Sequence, residues 1–206
     1  MTQYARPNSD HTDAEWRNAG GGAGALYQNI DDDPEDDPAY DDSDYIASAI
    51  TNPMSDSPAD CKIQLANTVT DPDTALSAHK VMYRAVGWDA GMMGPPSLKI
   101  SLYDTTVDTS SDPPAVNDDG LIITYTQSGL GDANMSGDPY VTYTLALSSA
   151  QAAIIASYDD LQIWFKRQGG SSEGDAVRVS QAWFECAEVV AGEADTTGAA
   201  FLLFME

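Results

Sequence analysis

From residue 60 onward, apolar and polar residues alternate with period two over most of the chain, a rhythm that predicts β-strands. In 60–66 the alternation puts Cys61, Ile63 and Leu65 on one face. The segments 79–86, 97–103, 120–126 and 140–147 follow, rich in β-branched and aromatic residues. In 97–103 the residues Leu98, Ile100 and Leu102 fall together. Strands resume at 161–165, 176–190 and 199–205. Within the long one, Ser180, Ala182, Phe184 and Cys186 are expected on one face, opposite Val179, Gln181, Trp183 and Glu185. One segment breaks the rhythm: 148–158 opens with Ser residues suited to an N-cap and carries a run of Ala. It predicts the best helix of the chain, two or three turns long.

The first half reads differently. Residues 1–24 have no sustained period, a Pro at position 7 and a Gly-rich exit at 20–24, and predict an extended N-terminal arm anchored by Tyr4 and Trp16. Residues 25–30 predict a strand or a single turn, and 44–50 a strand ended by Asn52 and Pro53. Between them, 31–44 is a loop, since two Pro and dense like charge oppose regular structure. Many short strands punctuated by Gly, Pro and Asp define the expected class: mainly β, an antiparallel β-sandwich, jelly-roll-like, with one short helix. The arm is expected over 1–24 and the sandwich over 25–206.

Charge changes the setting. There are 33 Asp and Glu against 9 Lys and Arg in 206 residues, a formal net charge of −24. The acids are spread along the chain, and 42% hydrophobic residues suffice for a core, so global disorder is excluded. So acidic a surface repels itself in dilute buffer, whereas in molar salt the Debye length shrinks to about 3 Å. The composition therefore predicts adaptation to high salt. Nucleic acid as a direct partner and an anionic membrane surface are excluded, because four Lys and five Arg scattered along the chain make no basic patch. No apolar run reaches the roughly 18–20 residues of a spanning helix, and residues 1–25 lack the regions of a signal peptide.

Candidate chemistry is sparse. His11 lies in the arm and His79 at a strand start, and no G-x-S-x-G elbow accompanies them. With 33 acids any pair of carboxylates can be proposed as a glycosidase dyad, so the signal discriminates nothing. Two Cys are too few for a Cys/His zinc site or a disulfide scaffold. Cys61 and Cys186 are read as buried thiols near one another, with a cross-strand disulfide as the alternative. No catalytic and no cofactor-binding residue is expected. The run from Asp31 to Asp44 lacks EF-hand spacing and reads as a solvated loop; the alternative is a structural Ca²⁺ or Mg²⁺ site.

A series of short motifs carries a family likeness. It runs through Arg6-Pro7-Asn8, Trp16, Leu26-Tyr27, Ile30-Asp31 and Asp42-x-Asp44-Tyr45-Ile46. It continues with Cys61-x-Ile63-x-Leu65, Asp71-Pro72 and His79-x-x-x-Tyr83-Arg84. Tyr158-x-Asp160-Leu161-x-Ile163, Arg178-Val179-Ser180-x-Ala182 and Phe184-Glu185 complete it. In their order and spacing the chain, over about residues 3–190, resembles a class of small virion structural proteins of tailed viruses and prophages. It departs from them in the acidic insert at 31–44 and in the tail after Val190. The resemblance implies a β-sandwich with a structural, non-enzymatic role, and it carries over no site residues. With the salt adaptation it points to a virus of halophilic archaea, the virion being assembled in the cytoplasm of a high-salt host. The expected partners are copies of the chain itself and other virion proteins, through the arm and the sandwich edges. The rival reading is a carbohydrate-binding module for host surface glycans, with Trp88, Trp164 or Trp183 as sugar platforms.

Overall fold

The structure, a computed structural model, describes residues 2–12, 16–31, 42–48, 60–66, 78–91, 94–106, 120–169 and 174–187. The expected strand at 199–205 and most of the acidic run lie outside them. The described strands are β1 (Thr2–Ala5), β2 (Pro7–Thr12), β3 (Trp16–Asn18), β4 (Ile46–Ser48), β5 (Cys61–Leu65) and β6 (Lys80–Trp88). They continue with β7 (Ser97–Asp104), β8 (Leu121–Gln127), β9 (Val141–Ala146), β10 (Leu161–Gln168) and β11 (Ala176–Ala187).

The pairing is that of one long hairpin wound into a barrel-like roll. β7 pairs with β8, β6 with β9, β5 with β10 and β4 with β11, all antiparallel. Rolling this ribbon brings β10 beside β7 and β11 beside β6. Two sheets result, β3-β4-β11-β6-β9 with β1 also on β11, and β2-β5-β10-β7-β8. Four strands of each belong to the wound hairpin, so the architecture is a jelly roll, as the alternation and turn chemistry imply. The core lies between the sheets and is filled by the period-two residues: Cys61, Ile63 and Leu65 from β5, Leu98, Ile100 and Leu102 from β7, and Val81, Tyr83 and Ala85 from β6.

Residues 2–12 and 16–24 are not an arm standing off the domain, which corrects the expectation for the described part of 1–24. β1 pairs with β11 (Thr2 opposite Ala187), β2 with β5, and β3 with β4. Trp16 is 1% exposed and packs 6.1 Å from Phe165, while Ala5 and Pro7 are buried too. The segment's large groups find their apolar surface within the same chain. Asp10 of β2 then fixes the next element: its carboxylate accepts the backbone N–H groups of Leu26 and Tyr27, the start of a 3-10 turn over Leu26–Asn29.

Two further expectations change. In β11 the register shifts between Val179 and Gln181, so Ser180 is an extra, bulged residue. Val177 and Val179 join Ala182, Phe184 and Cys186 in the core cluster. Val179 therefore leaves the face expected for it, and the Ser180 hydroxyl donates to Asp42 at 2.9 Å. The helix expected over 148–158 is a single turn, α1 (Ser149–Ala152), with a capping box between Ser148 and Gln151. It stops because the buried Asp104 carboxylate captures the N–H groups of Ala156 and Ser157 at 2.6 and 2.9 Å. Alanine propensity is a weak preference against two charge-assisted hydrogen bonds.

Candidate interaction surface

The two sides of the roll differ. On one side β2, β3 and the 3-10 turn close the gap between the sheets. On the other, β8 ends one sheet and β9 ends the other, and no described strand pairs with their outer edges. A tyrosine cluster bridges them from within. Tyr83 stacks on Tyr143 with centroids 5.3 Å apart, and its hydroxyl donates to Gln127 of β8 at 3.4 Å. Burial holds both phenols above their ordinary ionisation range, with Tyr143 and Tyr125 adding to the effect on Tyr83.

The two strands described at these edges carry no charged residue, in a chain where 20% of residues are charged. From Gly120 to Tyr158 there is no Lys, Arg, Glu or His, and only two Asp. Both Asp serve a turn: Asp132 accepts the N–H groups of Asp89 and Asn134, and Asp138 accepts that of Asp132. The same stretch holds all the exposed large hydrophobic residues among those described: Tyr125, Met135, Val141 and Ile154, between 42% and 55% exposed. Neither β8 nor β9 carries the Pro or Lys with which exposed strand edges are commonly blunted. The charge gap was legible in the sequence; that its two strands end adjacent sheet edges was not.

The outer faces of the sheets are, by contrast, already occupied. Arg84 holds Asp42 through two hydrogen bonds of 2.7 Å, and Arg178 lies 3.5 Å over Trp88 and 4.7 Å from Tyr45. Tyr140 joins this group, and burial raises its phenol despite the nearby Arg178. On the other sheet Tyr103 stacks on Trp164 at 3.8 Å and the Lys62 ammonium lies 4.1 Å from the same indole.

The residues singled out from the sequence fall into place around this frame. His11 is exposed on β2, whereas His79 is fully buried, its Nε2 2.9 Å from the Tyr158 hydroxyl and its ring edge-on to Phe184. The two histidines are not brought together. Cys61 and Cys186 are both buried, on opposite sheets, and are not joined in a disulfide. Trp164 and Trp183 are buried, and one face of Trp88 is covered by Arg178. At the acidic run, Asp42 is engaged with Arg84 and Ser180, and burial raises the Asp31 carboxyl above its ordinary value. Residues 32–41 lie outside the described ones. Among the described residues no group of three or more His, Cys, Asp or Glu is placed to hold a metal ion.

No protein-family model matches the chain, and no curated protein matches it. Among solved structures it is similar to the K3 cleaved adhesin domain of Lys-gingipain from Porphyromonas gingivalis W83. The identity is 11%, the TM-score 0.38, and the match covers 89% of this chain and 99% of that one. A likeness of that degree says nothing of activity or partner.

Proposed function

We propose that this protein is a structural, non-enzymatic subunit of a virion of a tailed virus of halophilic archaea. Its place is a capsid decoration or turret, or a neck or tail-fibre component. The observation that carries the reading is a jelly roll in which the edge strands β8 and β9 carry no charge, expose apolar residues and have no described strand on their outer edges, on a chain of net charge −24. Acidic faces keep copies apart and hydrated, and a neutral edge is where neighbours can meet at molar salt. Many copies in a symmetric assembly make even small interfaces sufficient. The resemblance of its ordered motifs to those of virion structural proteins supports the same reading.

Jelly rolls also build lectin domains, so carbohydrate binding is the rival. Occupied indoles weigh against it: a sugar platform needs an open aromatic face, and two of the three tryptophans named for that role are buried. The test is immunogold labelling of particles purified in molar salt from the source culture, with an antibody against this chain. Labelled particles support the proposal. Particles that keep their other structural proteins but lack the chain, while cell extract contains it, overturn it.

A further inference from the structure

We propose that β9 pairs with β9 of a second copy, antiparallel across a two-fold axis at Tyr143, joining the two larger sheets into one. This rests on reading the protein as an assembling subunit, and it names the surface and the register.

The backbone fixes which groups are available. The N–H of Leu147 donates to the His79 carbonyl at 2.8 Å, and β9 runs against β6 with no register shift. In an antiparallel pair, hydrogen-bonded and non-bonded residue pairs alternate. Leu145, Tyr143 and Val141 therefore turn their N–H and C=O groups to β6, and Thr142, Thr144 and Ala146 turn theirs outward.

The side chains point to a second copy as the occupant. A two-fold pairing places residue i opposite j and j opposite i, so the strand must complement its own reverse. Val141-Thr142-Tyr143-Thr144-Leu145 reads apolar, Thr, Tyr, Thr, apolar in both directions. Centred on Tyr143, the pairing sets Val141 against the second copy's Leu145, Thr142 against its Thr144 and Tyr143 against its Tyr143. The two Thr142–Thr144 pairs are the positions with outward N–H and C=O groups, so each exchanges two backbone hydrogen bonds. Val141, 42% exposed in the single chain, becomes covered. Electrostatics agrees, since a copy with net charge −24 approaches its like at least cost along an edge that carries no charge.

The test is sedimentation of the full chain in molar KCl across a concentration series, for wild type, Thr144→Pro and Val141→Asp. Thr144→Pro removes an outward N–H and spares the backbone bonds to β6, losing there only the hydroxyl's bond to the Met82 sulfur, a placement edge strands tolerate. Val141→Asp forces a carboxylate against Leu145 of the copy. The expected result is a wild-type dimer and, in both variants, dimerisation weakened at least about tenfold with melting temperature retained. Should Thr144→Pro melt early, Val141→Asp decides alone. A wild-type monomer throughout the series, or a dimer that the folded variants leave unchanged, overturns the pairing. Dimerisation through another face leaves the virion reading standing, and unlabelled particles leave this dimer standing, so the two failures are distinct.

Discussion

Cys186 is fully buried in β11, and burial, with Glu185 beside it adding charge repulsion, pushes its thiol up from 9.0 to about 11. Between those values the unfolded chain releases a proton that the folded chain keeps. The folded state thus binds more protons, and stability falls as pH rises from about 9 through 11. Wild type should lose more melting temperature than Cys186→Ala between pH 8 and pH 10.5, since Tyr83 acts alike in both and the Tyr158 phenol is raised further only while Cys186 is present. At pH 8 the native thiolate population is roughly a hundredfold below that of an unperturbed thiol, so iodoacetamide should label the folded protein slowly. Labelling at the rate of free cysteine contradicts it. Burial of both cysteines was legible from the alternation around Cys61 and Phe184. The work of individual aspartates was not: a charge count cannot tell a solvated Asp from Asp104, whose two oxygens also hold Thr106 and the loop after α1.

Strands β5, β6, β7 and β9 were readable because each turns its aliphatic residues mainly to one face, which leaves a period-two trace. β1, β2 and β3 leave little such trace. They sit at sheet edges, are three to six residues long, and are held by partners far along the chain. The bulge at Ser180 was equally hidden, since one inserted residue shifts the alternation without altering composition. Because these edge strands carry Trp16 into the core, deleting residues 1–20 should cost on the order of 5 kcal/mol. A fall of roughly 10–20 °C in melting temperature is expected at that cost. Thermal unfolding of the truncated chain in molar KCl checks this, and an unchanged melting temperature refutes it.

At the scale of the whole molecule, the scarce cations are spent within the fold. Arg84 pairs with Asp42, Lys80 with Glu185 and Lys166 with Asp60, while Arg178 and Lys62 lie over aromatic rings. Little positive charge is left to offset the acids, so screening must come from solution. Melting temperature should therefore rise steadily from low salt to molar KCl; a flat or falling profile contradicts salt adaptation. The jelly-roll class was legible from the rhythm of strands and turns, whereas the order of pairing was not, because register and neighbour are set by the winding of the whole ribbon. That winding also sets a timetable for synthesis. Thr2 lies opposite Ala187, so the first of the described strands must wait for the last. At roughly 5–20 residues per second the wait is on the order of ten to forty seconds. The nascent chain can pair β3 with β4 and β2 with β5 early, but the roll closes outward only once β8 emerges behind β7. Until β11 emerges the roll stays incomplete, and the mutual repulsion of its acids keeps the early strands from pairing with those of neighbouring nascent chains.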